Sequence, residues 1–290
     1  LSRYILYAWH FPRDVAEFGT RETEHVRDMS SASIQRKIGA RIAAFASCMW
    51  LAAASPGAVT ADGAPGGSDL RIEQTPIELL GEDEAARYQR ILDPERPISW
   101  EVYYPAHDGG GLPGVFVYIS PMRSGRIDSR WRRVMDRMNL IYIGANDSGN
   151  GVLTNERVVK AVFAVRALNQ RFRFDPSKIH VAGFSGGGRM ASLAASQYPE
   201  AFTAALYICG VNFWNSVRNP NVERIARNRF VFLTGSTDFN LAETRRVHRR
   251  YLEAGAGNSK LMVIEGMGHE HPDAETLTVA LEYLAGDDSH

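Results

Sequence analysis

Cysteine is nearly missing from this chain: 290 residues contain two, Cys48 and Cys209. Two cysteines allow one disulfide at most, and none if Cys48 is removed by processing, so stability must come from a hydrophobic core. Charge of one sign is missing as well. Lys+Arg 33 and Asp+Glu 33 cancel to +0, so the basic excess that neutralises phosphates is absent and no nucleic-acid partner is expected. No apolar run reaches the roughly 20 uninterrupted residues of a membrane span, which predicts no transmembrane segment. Metal-ligand spacings are missing too. There is no CxxC and no HExxH, and His269-Glu270-His271 lacks further ligands at a recognisable distance, so no metal is expected. What remains is an ordinary globular composition, 44% hydrophobic, long enough for one large core.

The first sixty residues differ from the rest. "RKIGARIAAFASCMWLAAASPGAVTAD" runs from basic residues (Arg36, Lys37, Arg41) through an Ala-rich apolar stretch to Pro56-Gly57 and small residues. This is the layout of a secretory signal peptide, predicted over 29–61 with cleavage after Ala61. A buried Ala-rich helix is the alternative, and acylation at Cys48 is a weaker one. Residues 1–28 carry Asp14, Glu17, Glu22, Glu24 and Asp28, unusual ahead of a signal, while Met29 opens the basic patch. They read as a non-native upstream extension. Residues 62–94 read as a lead-in. The expected localisation is secreted or periplasmic.

From 95 to 290 apolar strands alternate with amphipathic helices. The strands fall at Trp100–Tyr104, Gly114–Ser120, Leu140–Gly144, Ile179–Ala182, Ala204–Cys209, Phe230–Thr234 and Leu261–Ile264. Several are continuous apolar runs, as in strands buried on both faces. Helices are expected over 128–137, 155–172, 187–197, 241–253 and 273–284, with Val158, Val162, Val165 and Leu168 as one stripe. The alternation predicts an α/β fold, a mostly parallel central sheet with helices on both faces. Ligands gather at the carboxyl ends of such strands.

One of those ends reads "HVAGFSGGGRM". Gly186, Gly188 and Ala191 match the dinucleotide fingerprint G-x-G-x-x-A, but the next strand ends in "CGVNFWN" with no acid for a ribose. A Walker loop fails for want of its Lys-Ser/Thr pair. No cofactor is expected. Gly183-Phe184-Ser185-Gly186-Gly187 is instead a G-x-S-x-G between a strand and a helix, the strand–turn–helix in which a serine becomes an exposed nucleophile. Taken alone the motif is weak. Its partners must follow in the order Ser, acid, His, and Asp238 and His269 do so, each just past a strand. His269 is the expected base, with His271 as rival, and Asp238 the orienting acid. The oxyanion is expected to bind the Gly186 N–H and a second N–H after Ile119. Pro121 has none, so Ser120 or Met122 must donate, with Met122 favoured. His180, inside a strand, is expected to be packed.

The stretch "FDPSKIHVAGFSGGGRMASLAASQYPEAFTAA", with "GMGHEHP" around His269, resembles the α/β-hydrolase superfamily. More particularly it looks like polyhydroxybutyrate-depolymerase and feruloyl-esterase-like secreted serine esterases. The resemblance spans roughly 95–290. It departs at the oxyanion loop, where Ile119-Ser120-Pro121 stands in place of a His-Gly. It implies an α/β-hydrolase fold and a serine carboxylic-ester hydrolase acting on small-molecule or polymeric esters through an acyl-enzyme. The short connection from Cys209 to Phe230 implies at most a small cap, with Phe213 and Trp214 at the rim as substrate contacts or as packing. A serine peptidase, an acyltransferase or a non-catalytic binding protein on the same fold remain alternatives. Oligomeric state is not legible. N-terminal sequencing of the protein exported by its native host is expected to begin at or near Asp62; an intact Leu1 there would overturn the signal-peptide reading.

Overall fold

The computed structural model describes residues 66–107, 109–213 and 222–286. The expected extension (1–28), the signal segment (29–61) and Trp214 lie outside the described residues.

Among these, eight strands form one sheet: β1 (Ser68–Gln74), β2 (Ile98–Tyr104), β3 (Gly114–Ile119), β4 (Leu140–Ala145), β5 (Ile179–Phe184), β6 (Ala204–Ile208), β7 (Arg229–Gly235) and β8 (Ser259–Ile264). They lie in the order β1-β2-β4-β3-β5-β6-β7-β8. β1 pairs antiparallel with β2, and β2 with β4; all other pairs are parallel. β3, β4 and β6 are buried at every position, which is why their sequences are continuous apolar runs and not alternating ones. Helices α1 (Pro76–Leu80), α2 (Glu82–Ala85), α3 (Arg132–Met138), α4 (Thr154–Asn169), α5 (Gly186–Gln197), α6 (Val222–Ile225), α7 (Leu241–Glu253) and α8 (Ala274–Ala285) connect and cover the strands.

The fold begins earlier than the sequence predicts. β1 lies inside the expected lead-in, paired with β2 from Ser68↔Tyr104 to Gln74↔Ile98. An edge strand buries one face only, so "SDLRIEQ" shows alternation, with Ile72 buried between exposed Arg71 and Glu73. After it, Thr75 starts α1 with a capping box. Its hydroxyl accepts from the Glu78 N–H at 3.1 Å and the Glu78 carboxylate accepts from the Thr75 N–H at 2.7 Å. Between β6 and β7 the described residues add only the short α6.

Helix α4 buries its expected stripe, Val158, Val162, Val165 and Leu168, against the sheet. It also buries two cations. Arg157 donates to the carbonyls of Ser148 (2.7 Å) and Ser120 (3.0 Å), and Lys160 to that of Asp147 (2.8 Å) while pairing with Glu156. A buried cation left unpaired is strongly unfavourable, so these bonds tie the loops after β3 and β4 to the helix.

His180 is packed inside β5, 3% exposed, with Nδ1 unbonded. Burial, helped by Lys178, pushes its pKa down to about 4. The unfolded chain takes up this proton near 6.5, the folded chain only near 4. The stabilisation is therefore complete above pH 6.5 and is lost as pH falls toward 4, by on the order of 3 kcal/mol. Urea unfolding at pH 7 and pH 4 is expected to show that loss in the wild type and a smaller one in His180→Leu; equal losses would disprove the assignment.

Candidate active site

Ser185 joins β5 to α5 with φ 55 and ψ −120. A non-glycine residue there is strained by roughly 1–3 kcal/mol. Two backbone bonds offset the strain: the Ser185 N–H donates to Ile208 O (2.7 Å), and Ser185 O accepts from the Arg189 N–H (3.2 Å). The turn leaves no room around it. A Cβ on Gly183 would overlap the Gly187 carbonyl group, and one on Gly187 would overlap the Ile119 carbonyl. Glycine is required at both by close approach of backbone to backbone.

The three residues predicted from order alone meet at this turn. His269 Nε2 lies 2.9 Å from Ser185 Oγ, and His269 Nδ1 lies 2.9 Å from Asp238 Oδ1. The Asp238 side chain is fully buried and that of His269 is 22% exposed. Burial pulls the Asp238 carboxyl up, but hydrogen bonds from the Asn240 N–H, the Thr234 hydroxyl, His269 and Cys209 together hold it below its ordinary value. The Asn240 and Thr234 bonds are 3.0 and 2.7 Å. Asp238 thus stays ionised and favours the imidazole tautomer with its proton on Nδ1.

The loops that carry Asp238 and His269 are stitched together. Both the N–H and the hydroxyl of Thr237 donate to Met267 O (3.1 and 2.9 Å), and the Gly266 N–H donates to Ser236 Oγ (2.9 Å). Trp131 anchors the histidine loop through Nε1 to Pro272 O (3.1 Å). Asn240 is fixed in turn: its Nδ2 donates to Cys209 O (2.8 Å), and Arg189 reaches its Oδ1 while pairing with Glu243.

His271, the rival base, is engaged elsewhere. Its Nε2 lies 2.9 Å from the buried Tyr118 hydroxyl and its Nδ1 faces Asp128 at 3.7 Å. Cys209 sits behind these residues, its Sγ within 4.8 Å of ligand atoms of Asp238 and His269. Burial, with Asp238 beside it, pushes the thiol up to about 12, so it stays protonated, and both ring nitrogens of His269 already have partners.

Gly186 opens α5, so its N–H has no intrahelical acceptor and faces out of the helix end. Met122 departs from expectation: its N–H donates to Ser120 Oγ at 3.0 Å, because the tight loop after β3 brings that hydroxyl under it. Phe213 takes the packing one of its two expected roles. Its ring packs under the Arg250 guanidinium (3.6 Å) and edge-on to Tyr251 (6.0 Å), on α7, because that guanidinium and ring offer it a cation–π and aromatic seat. The sequence reading missed Phe239, which is 76% exposed and stacks on the His269 ring with centroids 4.2 Å apart. Its place beside Asp238 was the available signal. A cleft of about 490 Å³ opens next to the elbow, lined by Pro121, Met122, Asn150 and Val152 among others.

This sheet order, with Ser, Asp and His leaving β5, β7 and β8, is the α/β-hydrolase fold. Residues 146–267 match the model of the prolyl oligopeptidase family, peptidase S9. Among solved structures, EstE1, a thermophilic and thermostable carboxylesterase cloned from a metagenomic library, is similar at 16% identity and TM-score 0.57, over 77% of this chain and 90% of that one. Fungal esterases from Rhizomucor miehei align at 14% identity and TM-score 0.55, over 78% and 84%. An arylesterase aligns at 12% and 0.53, over 77% and 85%. At these identities the likeness is one of fold. No curated protein matches. Among the described residues no helix is long and apolar enough to cross a membrane.

Phe239 holds the His269 ring by stacking, a contact of about 0.5–1.5 kcal/mol. Phe239→Ala is expected to lower kcat/KM for a nitrophenyl ester by about 2–12-fold, that energy converted at 1.4 kcal/mol per decade. Unchanged kcat/KM would show that the stack does not hold the ring.

Proposed function

We propose that this protein is a serine hydrolase that cleaves carboxylic esters through an acyl-enzyme. The observation that carries the reading is the continuous Ser185–His269–Asp238 hydrogen-bond chain, 2.9 Å at each link, on a strained turn. In this mechanism Ser185 Oγ attacks the acyl carbon while His269 Nε2 takes its proton. The carbonyl π pair moves onto oxygen, facing the Gly186 N–H. Collapse breaks the bond to the alkoxy oxygen, which leaves with the proton from His269. Water then repeats the sequence on the acyl-enzyme and frees the acid. Asp238 stabilises the imidazolium at each stage.

Apolar surface around the site favours esters with hydrophobic groups. Large exposed apolar side chains among the described residues include Met122 (69%), Leu153 (70%) and Phe239 (76%). Met122 lines the cleft, Leu153 follows its Val152, and Phe239 lies on His269. The second reading is a peptidase, favoured by the match of 146–267 to the prolyl oligopeptidase family. The narrower likeness to polyhydroxybutyrate-depolymerase and feruloyl-esterase-like enzymes rests on the segments around Ser185 and His269, and export rests on the 29–61 pattern.

Wild-type protein is expected to hydrolyse nitrophenyl esters faster than the matched anilides. Ser185→Ala should lose on the order of 10⁴-fold or more in kcat, His269→Ala a similar amount, and His271→Ala far less. Equal rates in wild type and Ser185→Ala would overturn the assignment, and a preference for anilides would favour the peptidase.

A further inference from the structure

The proposed reaction leaves one role unfilled. Negative charge on the acyl oxygen is normally met by more than one donor fixed before the reaction. The Gly186 N–H is one. In the loop after β3, Pro121 has no N–H and that of Met122 is taken by Ser120 Oγ at 3.0 Å.

Asn150 stands at the open side of this gap. Its backbone N–H donates to Pro121 O at 3.0 Å, which fixes the β4–α4 loop against the β3 loop. The preceding Gly149 lies so close that a Cβ there would press on the Met122 carbonyl carbon and the Pro121 oxygen, 2.9 and 3.1 Å away. The Asn150 carboxamide reaches across to the nucleophile elbow, where it occupies the space that a Cβ on Gly186 would need. It lines the cleft beside the elbow. Among the described residues only its backbone N–H forms a hydrogen bond; the carboxamide has no partner. A half-turn about the last side-chain torsion therefore exchanges its oxygen and NH₂ ends without breaking a bond.

We propose that Asn150 is the second oxyanion donor, its side-chain N–H acting with the Gly186 backbone N–H beside a loop in which Pro121 has no N–H and Met122 gives its own to Ser120 Oγ. The inference rests on the serine-hydrolase reading above. The platform is rigid. Buried Arg157 holds both Ser120 O and Ser148 O, and Lys160 holds Asp147 O. The loops bearing Met122 and Asn150 are thus fixed by one helix, which gives the preorganisation that electrostatic stabilisation requires. Glycine at 186 is then needed for a reason beyond the turn, because any side chain there would displace the carboxamide.

The test uses the full chain with a nitrophenyl ester and a trifluoromethyl ketone, which forms a hemiketal oxyanion with a serine. Asn150→Ala is expected to lower kcat by about 10²-fold and to leave KM within about two-fold. It should weaken the ketone by a similar factor. Asn150→Asp should fall further, since a carboxylate would face the oxyanion. Thermal unfolding should be unchanged in both, because the carboxamide bonds to nothing in the fold. Ser185-dependent turnover that Asn150→Ala leaves intact, or a loss confined to KM with undiminished ketone binding, overturns the donor role alone. Absence of Ser185-dependent turnover in the wild type overturns the hydrolase reading and this proposal with it.

Discussion

The left-handed backbone of Ser185 is the constraint that the neighbouring loops are built around. At φ 55 and ψ −120 a serine does not rest there unaided, and the chain must return at once into α5. The return is possible because Gly183 and Gly187 meet without side chains and Gly187 slides under the Ile119 carbonyl. Helix α5 then passes so near the loop after β6 that Gly188 abuts the Gly210 carbonyl, while Gly210 itself lies against Ser185. Strain at one residue is thus supported by backbone from β3, β5, β6 and α5 together, consistent with strain being kept where the surroundings over-determine it.

From that fixed point the chemistry depends on how well the other loops are held. Asp238 and His269 arrive on β7 and β8, parallel neighbours whose loops leave the same sheet edge. Thr237, Ser236 and Met267 join the two loops directly, so the Asp238–His269 distance is set by short local bonds. Around Asp238 several donors outweigh burial and hold the carboxyl below its ordinary pKa. Arg189 extends the same support outward, linking α5, the loop after β6 and α7 through Val211 O, Asn212, Asn240 and Glu243. Opposite, Arg157 and Lys160 do for the β3 and β4 loops what these bonds do for the β7 and β8 loops.

Much of the fold was legible because burial on both faces writes continuous apolar runs, as in β3, β4 and β6. The seven strands from β2 to β8 were all readable, with ends shifted by two residues at most. β1 was passed over because an edge strand alternates, and "SDLRIEQ" looks polar when scanned for runs. In the site, Ser185, Asp238 and His269 were readable as an ordered set at strand ends. Met122 was misjudged because a main-chain donor depends on which hydroxyl the loop folds beneath it. Phe213 was placed at a rim by sequence neighbourhood, yet its ring sits on α7. The burial of Arg157 and Lys160 had no signal in the sequence, because only the carbonyls of two other loops make it favourable.

Sequence alone determined the alternation of strands and helices, the G-x-S-x-G turn and the order of its partners, because those follow from local periodicity, glycine sterics and chain direction. Tertiary structure decided which histidine faces Ser185, where the Met122 N–H points, that Phe239 covers His269, and that the Asn150 carboxamide lies against Gly186. Each of those depends on contacts between loops remote in the chain, for example 84 residues apart for Ser185 and His269. The strand order of the sheet, which no local pattern encodes, is what brings such loops to one edge.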